Sequence, residues 1–391
     1  MGMLNSILVS DLSTARWRGI SWNLVYLPYF ITASVSGFVV EKVVQSIGWR
    51  WGIGSFAILL PVSAVPLTVM LFVLQRHVHG RAWSGFSFTE SCVRSMHEFC
   101  SRIDLGGLLL LSGGFGLLLV PISLAATTRN QWKTTWVDAL MALGVLALVT
   151  FYPYEKYHAR HPVVRVEYFH AAPIVLGVMI GSIDNTGFSA THTYLYAWAM
   201  MTHNLSPRNA QFLTSINGIM QCIMGMVSGG IMYKTRAYKW LGVTGAVIRL
   251  VGYSIMIQFR TVNGSLTELF LVQVVQGIGS GILETVVVVA AQLAVPHEQL
   301  SQITSLVLLG NFLGCAIGAA VAGGIYTGTL AGRLRVLLGA ISAGDGTTNP
   351  VDVLPSSSMD YLPPWGTRER AAVNQAVWFL TMSSLPTWIV C

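Results

Sequence analysis

The feature that most constrains this chain is a succession of nearly uncharged stretches long enough to cross a bilayer. A hydrocarbon core about 30 Å thick takes roughly 20 apolar residues as a helix. A window of about 19 residues picks out ten such stretches: Gly19 to Val40, Trp51 to Leu74, Ile103 to Ala126, Thr135 to Tyr152, Ala171 to Met200, Ala210 to Met232, Tyr238 to Gln258, Thr267 to Val295, Thr304 to Tyr326 and Val373 to Cys391. In lipid every backbone amide must find its partner inside the chain, which only helices or a closed barrel allow. These stretches have helix length, so the expected fold is an all-α polytopic membrane helix bundle of about ten transmembrane helices. Composition excludes a soluble domain. Charged residues are 10% and hydrophobic ones 53%, whereas globular domains carry about 25% charged residues.

The charges that remain are placed asymmetrically. Lys and Arg outnumber Asp and Glu by 23 to 16, but they are scattered singly, without the basic run or helix face that reads phosphates, so nucleic acid is not an expected partner. With the N-terminus in the cytoplasm, twelve Lys/Arg fall on inside segments and six on short outside loops, the bias that sets orientation. Both glycosylation sequons, Asn204-Leu-Ser and Asn263-Gly-Ser, then fall outside. Met1 to Ser10 lacks the three-part pattern of a cleavable signal, so the chain is expected to enter the membrane by its own spans. The five cysteines, Cys92, Cys100, Cys222, Cys315 and Cys391, show no C-x-x-C and no paired framework, which predicts free thiols and no metal site.

Catalytic signatures are missing: there is no P-loop, H-E-x-x-H or G-x-S-x-G pattern, so neither an enzyme nor an ATP-driven pump is expected. Gly277-Ile-Gly-Ser-Gly281 resembles a dinucleotide loop only superficially. It lies within an apolar helix with no preceding strand, and close helix packing accounts for it better. The small-residue rows Gly225/Gly229 and Gly310/Gly314/Gly318 predict the same tight packing. Ionisable groups inside spans are the sharper signal, because placing one there costs about 2.5–3.5 kcal/mol even on the lenient insertion scale. Asp184 lies mid-span beside Asn185, with His192, Tyr194 and Tyr196 one to three turns on. It is the first candidate for a proton-coupling or substrate-facing group, the alternative being a hydrogen bond to a neighbouring helix. Glu284 and Arg249 lie on adjacent spans of opposite direction and are expected either to pair or to face a cavity. Asp104 and Asp138 sit near span ends, where capping or snorkelling accounts for them. The Leu330 to Ala372 segment, rich in Gly, Pro and Ser, reads as a long outside loop in which Tyr361 and Trp365 are candidates to close over a substrate; disorder is the alternative.

Several strings resemble one family. Asp11-Leu-Ser-Thr-Ala-Arg-Trp-Arg-Gly19 resembles the cytoplasmic loop after the fourth span of 14-span major facilitator transporters. Gly48-Trp-Arg-Trp-Gly-Ile-Gly-Ser-Phe-Ala-Ile-Leu-Leu-Pro-Val62 resembles the fungal siderophore-iron branch of that superfamily. The resemblance continues through Thr193-Tyr-Leu-Tyr196, Tyr233 to Trp240 and Val275 to Gly281, and is strongest over Val295-Pro-His-Glu-Gln299 and Gly314 to Thr327. It implies a major facilitator-like protein that imports ferric siderophores by proton symport across the plasma membrane or endosomal/vacuolar vesicle membranes of fungi. Asp184 would match the acidic residue before the family's Tyr-Leu-Tyr string, and Tyr194 and Tyr196 the string itself. A ferric siderophore wraps its iron in its own oxygens, so no cofactor and no protein metal ligand is implied. The partners are the chelate, protons and the lipid bilayer.

The resemblance also implies a division: residues 1–75 as a remnant of the N-terminal bundle, 76–170 as a linking helix pair, and 171–391 as a six-helix C-terminal bundle with the 330–372 loop. The family's first four spans have no counterpart in this chain. Two other readings stand beside import. One is a drug or toxin efflux antiporter of the same superfamily, the other a truncated, non-transporting membrane protein.

Overall fold

The computed structural model describes residues 13–43, 48–79, 104–124, 135–158, 171–260 and 265–342, together with Val9, Ser46 and Tyr168. Several elements begin where the sequence supplies a start. The first crossing is made by α1 (Arg18–Leu24) and α2 (Leu27–Lys42), broken at Val25–Tyr26. Pro28 occupies the first turn of α2, where its missing N–H is tolerated. Helix α3 (Trp49–His79) follows, then α4 (Leu105–Leu124) and α5 (Thr135–Tyr157), which pack together as a pair. The Asp104 carboxylate accepts the Gly107 N–H at 3.2 Å at the start of α4, a capping contact.

Helix α6 (Ala172–His192) gives way to short α7 (Leu195–His203), and α8 (Pro207–Thr235) is capped by Ser206, whose hydroxyl accepts the Asn209 N–H. Then come α9 (Lys239–Phe259) and α10 (Leu266–Leu293), which starts in a reciprocal capping box between Ser265 and Glu268. A single turn at His297–Gln299 leads into α11 (Leu300–Ser342).

Eight of these helical stretches are long and apolar enough to cross a membrane, and the chain is an all-α, multi-pass membrane helix bundle. Two expected boundaries move. The stretch from Ala171 to Met200, predicted as one span, breaks at Thr193–Tyr194. Thr191 and Thr193 bond back to the Gly187 and Ser189 carbonyls at 2.9 and 2.6 Å, side-chain contacts that compete with the helix ladder and bend it. Helix α6 itself, with 21 residues, has the length to cross but is not among those eight, because its Ser, Asp, Asn, Thr and His residues make it less apolar than they are. The loop expected from Leu330 is the other correction: α11 runs on to Ser342, since Thr327 to Ser342 is free of proline and rich in helix formers. The stretch Val373 to Cys391, the rest of the loop, and with it Tyr361 and Trp365, lie outside the described residues.

Helix α10 is the axis. It packs on α8 and α9, touches α6 and α11, and meets α1; α6 lies along α11, while α1 and α2 lie on α8. Of the eight spans it is the most enclosed, with 72% of its central window buried. The predicted small-residue rows explain how. A Cβ at Gly277 would lie 2.5 Å from the Asn217 carbonyl of α8, and one at Gly279 would lie 2.7 Å from the Arg249 amide nitrogen of α9. Only glycine admits both neighbours at this distance. Apolar packing closes the two ends, around Trp22, Ile174, Val288 and Ile303 at one and Leu195, Trp198, Leu213 and Leu269 at the other. Helix α3 stands apart, making no extended contact with any other described helix.

Candidate functional site

Between the two apolar clusters, α10 turns a polar stripe inward. Gln273, Gln276, Ser280 and Glu284 recur at spacings of three and four, so they share one face. The first three are buried, with Gln276 0% exposed. Such groups are tolerated in a membrane interior only when they face one another or a cavity. Here Gln273 meets His192 and the Gln276 carbonyl meets Arg249, while Ser280 and Glu284 face a cavity of about 110 Å³ lined by Gly181, Asp184, Asn185 and Phe188 of α6, Gln221 of α8, Arg249 of α9, Ser280, Leu283, Glu284 and Val287 of α10, and Asn311 of α11. Five helices therefore contribute.

The strongest contact in the cavity joins α9 to α6. Arg249 donates from Nε to Asp184 Oδ1 at 2.6 Å. Its Nη1 donates to the Gln276 carbonyl of α10 at 3.1 Å, and its guanidinium lies 5.0 Å from the Tyr253 ring centroid and 5.9 Å from that of Phe188. Two-donor use of a planar fork is something only arginine offers. With the two side chains 4% and 13% exposed, removing either partner strands a buried charge, at a cost of about 3–5 kcal/mol. Glu284 is bonded differently: Gln221 Nε2 donates to its Oε2. Asn185 Nδ2 donates to the Gly181 carbonyl at 2.9 Å, and the Cys315 thiol lies 3.6 Å from Asn185 Oδ1. Arg249 Nη2, Tyr253 OH, Gln276 Oε1 and Asn311 Oδ1 are buried and form no well-aligned hydrogen bond with the protein, although Tyr253 lies against the Arg249 guanidinium. Such groups call for water or a ligand.

Of the two alternatives for Glu284 and Arg249, pairing or facing a cavity, the structure adopts the second. Arg249 goes to Asp184, because α6 and α9 both lie against α10 and bring those two side chains together, whereas α8 offers Glu284 an amide. Asp184, Asn185, Arg249 and Glu284 do converge on one cavity. His192 lies two turns beyond Asp184, outside the lining. Its ring stacks on Phe188 at 4.2 Å, and Nε2 lies 2.7 Å from Gln273 Oε1. Tyr194 is further off, stacked on Tyr326 of α11 at 4.3 Å with 8° between the planes. Tyr196 packs against the Leu195–Trp198 cluster. The tyrosine string is thus a separate layer, one side chain facing α11 and the other the apolar end.

The uncharged members of the site escape a search for charges in spans. Gln221, Gln276, Ser280 and Asn311 carry no such flag. The spacing of polar residues along the most apolar part of α10 is the signal that could have found three members of the stripe. Among the described residues, no group of three or more His, Cys, Asp or Glu side chains comes together as a metal site.

Residues 178–341, which contain every lining residue of the cavity, match the family model of the Major Facilitator Superfamily. Three fungal relatives extend the similarity over nearly the whole chain. It is 29% identical to the siderophore transporter fer7 of Mycosarcoma maydis, over 96% of this chain and 60% of that protein. It is 28% identical to the low affinity heme transporter str3 of Schizosaccharomyces pombe, over 98% and 62%. To the siderophore iron transporter mirB of Emericella nidulans it is 25% identical, over 96% and 62%. The chain thus spans about three fifths of the length of these relatives.

Proposed function

We propose that this chain forms the transport body of a proton-coupled secondary transporter that imports ferric siderophore chelates. The observation that carries the reading is the ionisable cavity, Asp184, Arg249 and Glu284 converging from three helices in the interior of a membrane bundle. Such groups are costly in lipid and in transporters mark the path of ions and substrate. The substrate class is taken from the relatives. Those named for siderophores and the one named for heme all handle iron already enclosed in an organic ligand, a cargo recognised by shape and polar contact.

At about 110 Å³ the cavity is smaller than the roughly 300–1,000 Å³ typical of small-molecule sites. In this conformation it suits water and protons, and a chelate is admitted when the wall helices part, as alternating access requires. The Tyr253 hydroxyl and the Gln276 and Asn311 amide oxygens then become available to it.

The test is uptake of a radiolabelled ferric hydroxamate by iron-starved yeast cells that lack their own siderophore carriers and express this chain. Accumulation should rise as the medium is acidified. Asp184→Asn should lower it about tenfold or more at equal surface level, since the ion pair that ties α9 to α6 is then lost. Uptake unchanged by Asp184→Asn would remove the cavity from the mechanism.

A further inference from the structure

The cavity holds two carboxylates and one guanidinium, and their partners are unequal. Asp184 takes the Arg249 Nε–H at 2.6 Å, a charge-assisted contact that identifies it as the ionised acid. Glu284 takes its hydrogen bond from a neutral amide, Gln221. With both acids ionised, the enclosed cluster carries one negative charge more than it can balance; a single proton removes the excess.

Among the described residues, the groups that face Glu284 leave no other source of compensation. They are Asp184 from α6, Gln221 and Cys222 from α8, Arg249 from α9, and Asn311 and Cys315 from α11. Arg18 of α1 reaches the Gln292 carbonyl, eight residues and about 12 Å further along α10. Arg249 Nη2 is buried and forms no well-aligned hydrogen bond, with Tyr253 lying against the guanidinium.

We infer that Glu284 is the proton-carrying group of the cycle, and that Arg249 is shared: it pairs with Asp184 while Glu284 is protonated and turns its Nη2 to Glu284 when that proton leaves. Movement of one guanidinium between α6 and α10 converts a proton event into a change in how those helices are tied. This rests on the transport reading for its purpose, though not for the protonation itself. The contrary view is that Glu284 and Gln221 merely fasten α10 to α8.

The test separates the two levels. Infrared spectra of the purified chain in detergent at neutral pH should contain a protonated-carboxyl band that E284Q removes and E284D shifts in frequency, and that D184N weakens, since Arg249 is then free to pair with Glu284. A band that survives E284Q, or that E284D leaves at its wild-type frequency, overturns the assignment. In vesicles, with a radiolabelled ferric hydroxamate as probe, the ratio of accumulation driven by a pH gradient to exchange at equal pH should fall about tenfold or more in E284Q. A ratio that persists in E284Q overturns the coupling role. If the band behaves as expected but wild-type vesicles exchange no chelate, the proton assignment stands and the siderophore reading falls.

Discussion

Arg249 does more in the cavity than supply a charge, since its fork joins Asp184 on α6 to the Gln276 carbonyl on α10 while its face rests near Tyr253. Lysine is a point charge on a flexible stem and cannot make both bonds from fixed positions. Arg249→Lys should therefore preserve surface expression yet lower ferric-hydroxamate uptake about tenfold. Uptake normalised to surface level checks this, and full activity of the lysine variant would reduce Arg249 to a counter-ion. Asp184, Arg249 and Glu284 were individually legible because a charge inside an uncharged stretch stands out by its energetic cost. Their partners were not. Proximity across α6, α9 and α10 depends on which helices are neighbours, and nothing in residue spacing within one span carries that. Gln221 and Asn311 escaped for a simpler reason: an amide in a span costs less and so signals less.

Along α10 the same residues that pack the helix also aim its chemistry. Gly277 and Gly281 meet α8 and Gly279 meets α9, and the polar stripe opens between those contacts, within reach of Gln221 from one neighbour and Arg249 from the other. Close approach thus delivers both side chains to the cavity. Gly279→Leu must push α9 away, because its Cβ would already lie 2.7 Å from the Arg249 amide nitrogen. Overpacking of this kind costs about 1–3 kcal/mol, so detergent-solubilised protein should unfold at lower temperature and lose uptake. Gly230→Leu, where no atom lies within 4 Å of the added carbon, should leave both unchanged and serves as the control. Equal melting of the two variants would contradict the packing argument. The glycine spacing was readable as a packing row, but the break at Thr193–Tyr194 and the extension of α11 to Ser342 were not. A hydropathy window registers neither of the deciding forces, which are threonine back-bonding in one and continued helix propensity in the other.

At the scale of the molecule, α1 and α2 lie on α8, and the Asn23 amide donates to Thr285 Oγ of α10 at 2.9 Å. Alternating access by rocking of one half against the other would have to break this seam, whereas the α6–α11 seam, where Ser182 Oγ donates to the Gly310 carbonyl at 2.6 Å, would move as one body. A disulfide between cysteines at 23 and 285 should therefore stop uptake until it is reduced, while one between cysteines at 182 and 310 should leave uptake within about twofold. The reverse pattern would place the moving seam elsewhere. By itself the sequence determined that this chain crosses membranes as helices, where most of its spans run, and which charges inside them demand an explanation. Those properties follow from local hydropathy and from the need of every backbone amide in lipid for a partner in its own segment. Only the tertiary structure decided that Arg249 answers Asp184 and leaves Glu284 to an amide, that His192 and the tyrosines stand outside the cavity, and that α10 is the axis around which the site is built. Each of these is a contact between segments far apart in the chain, and which helix packs against which is settled by the summed fit of many side chains.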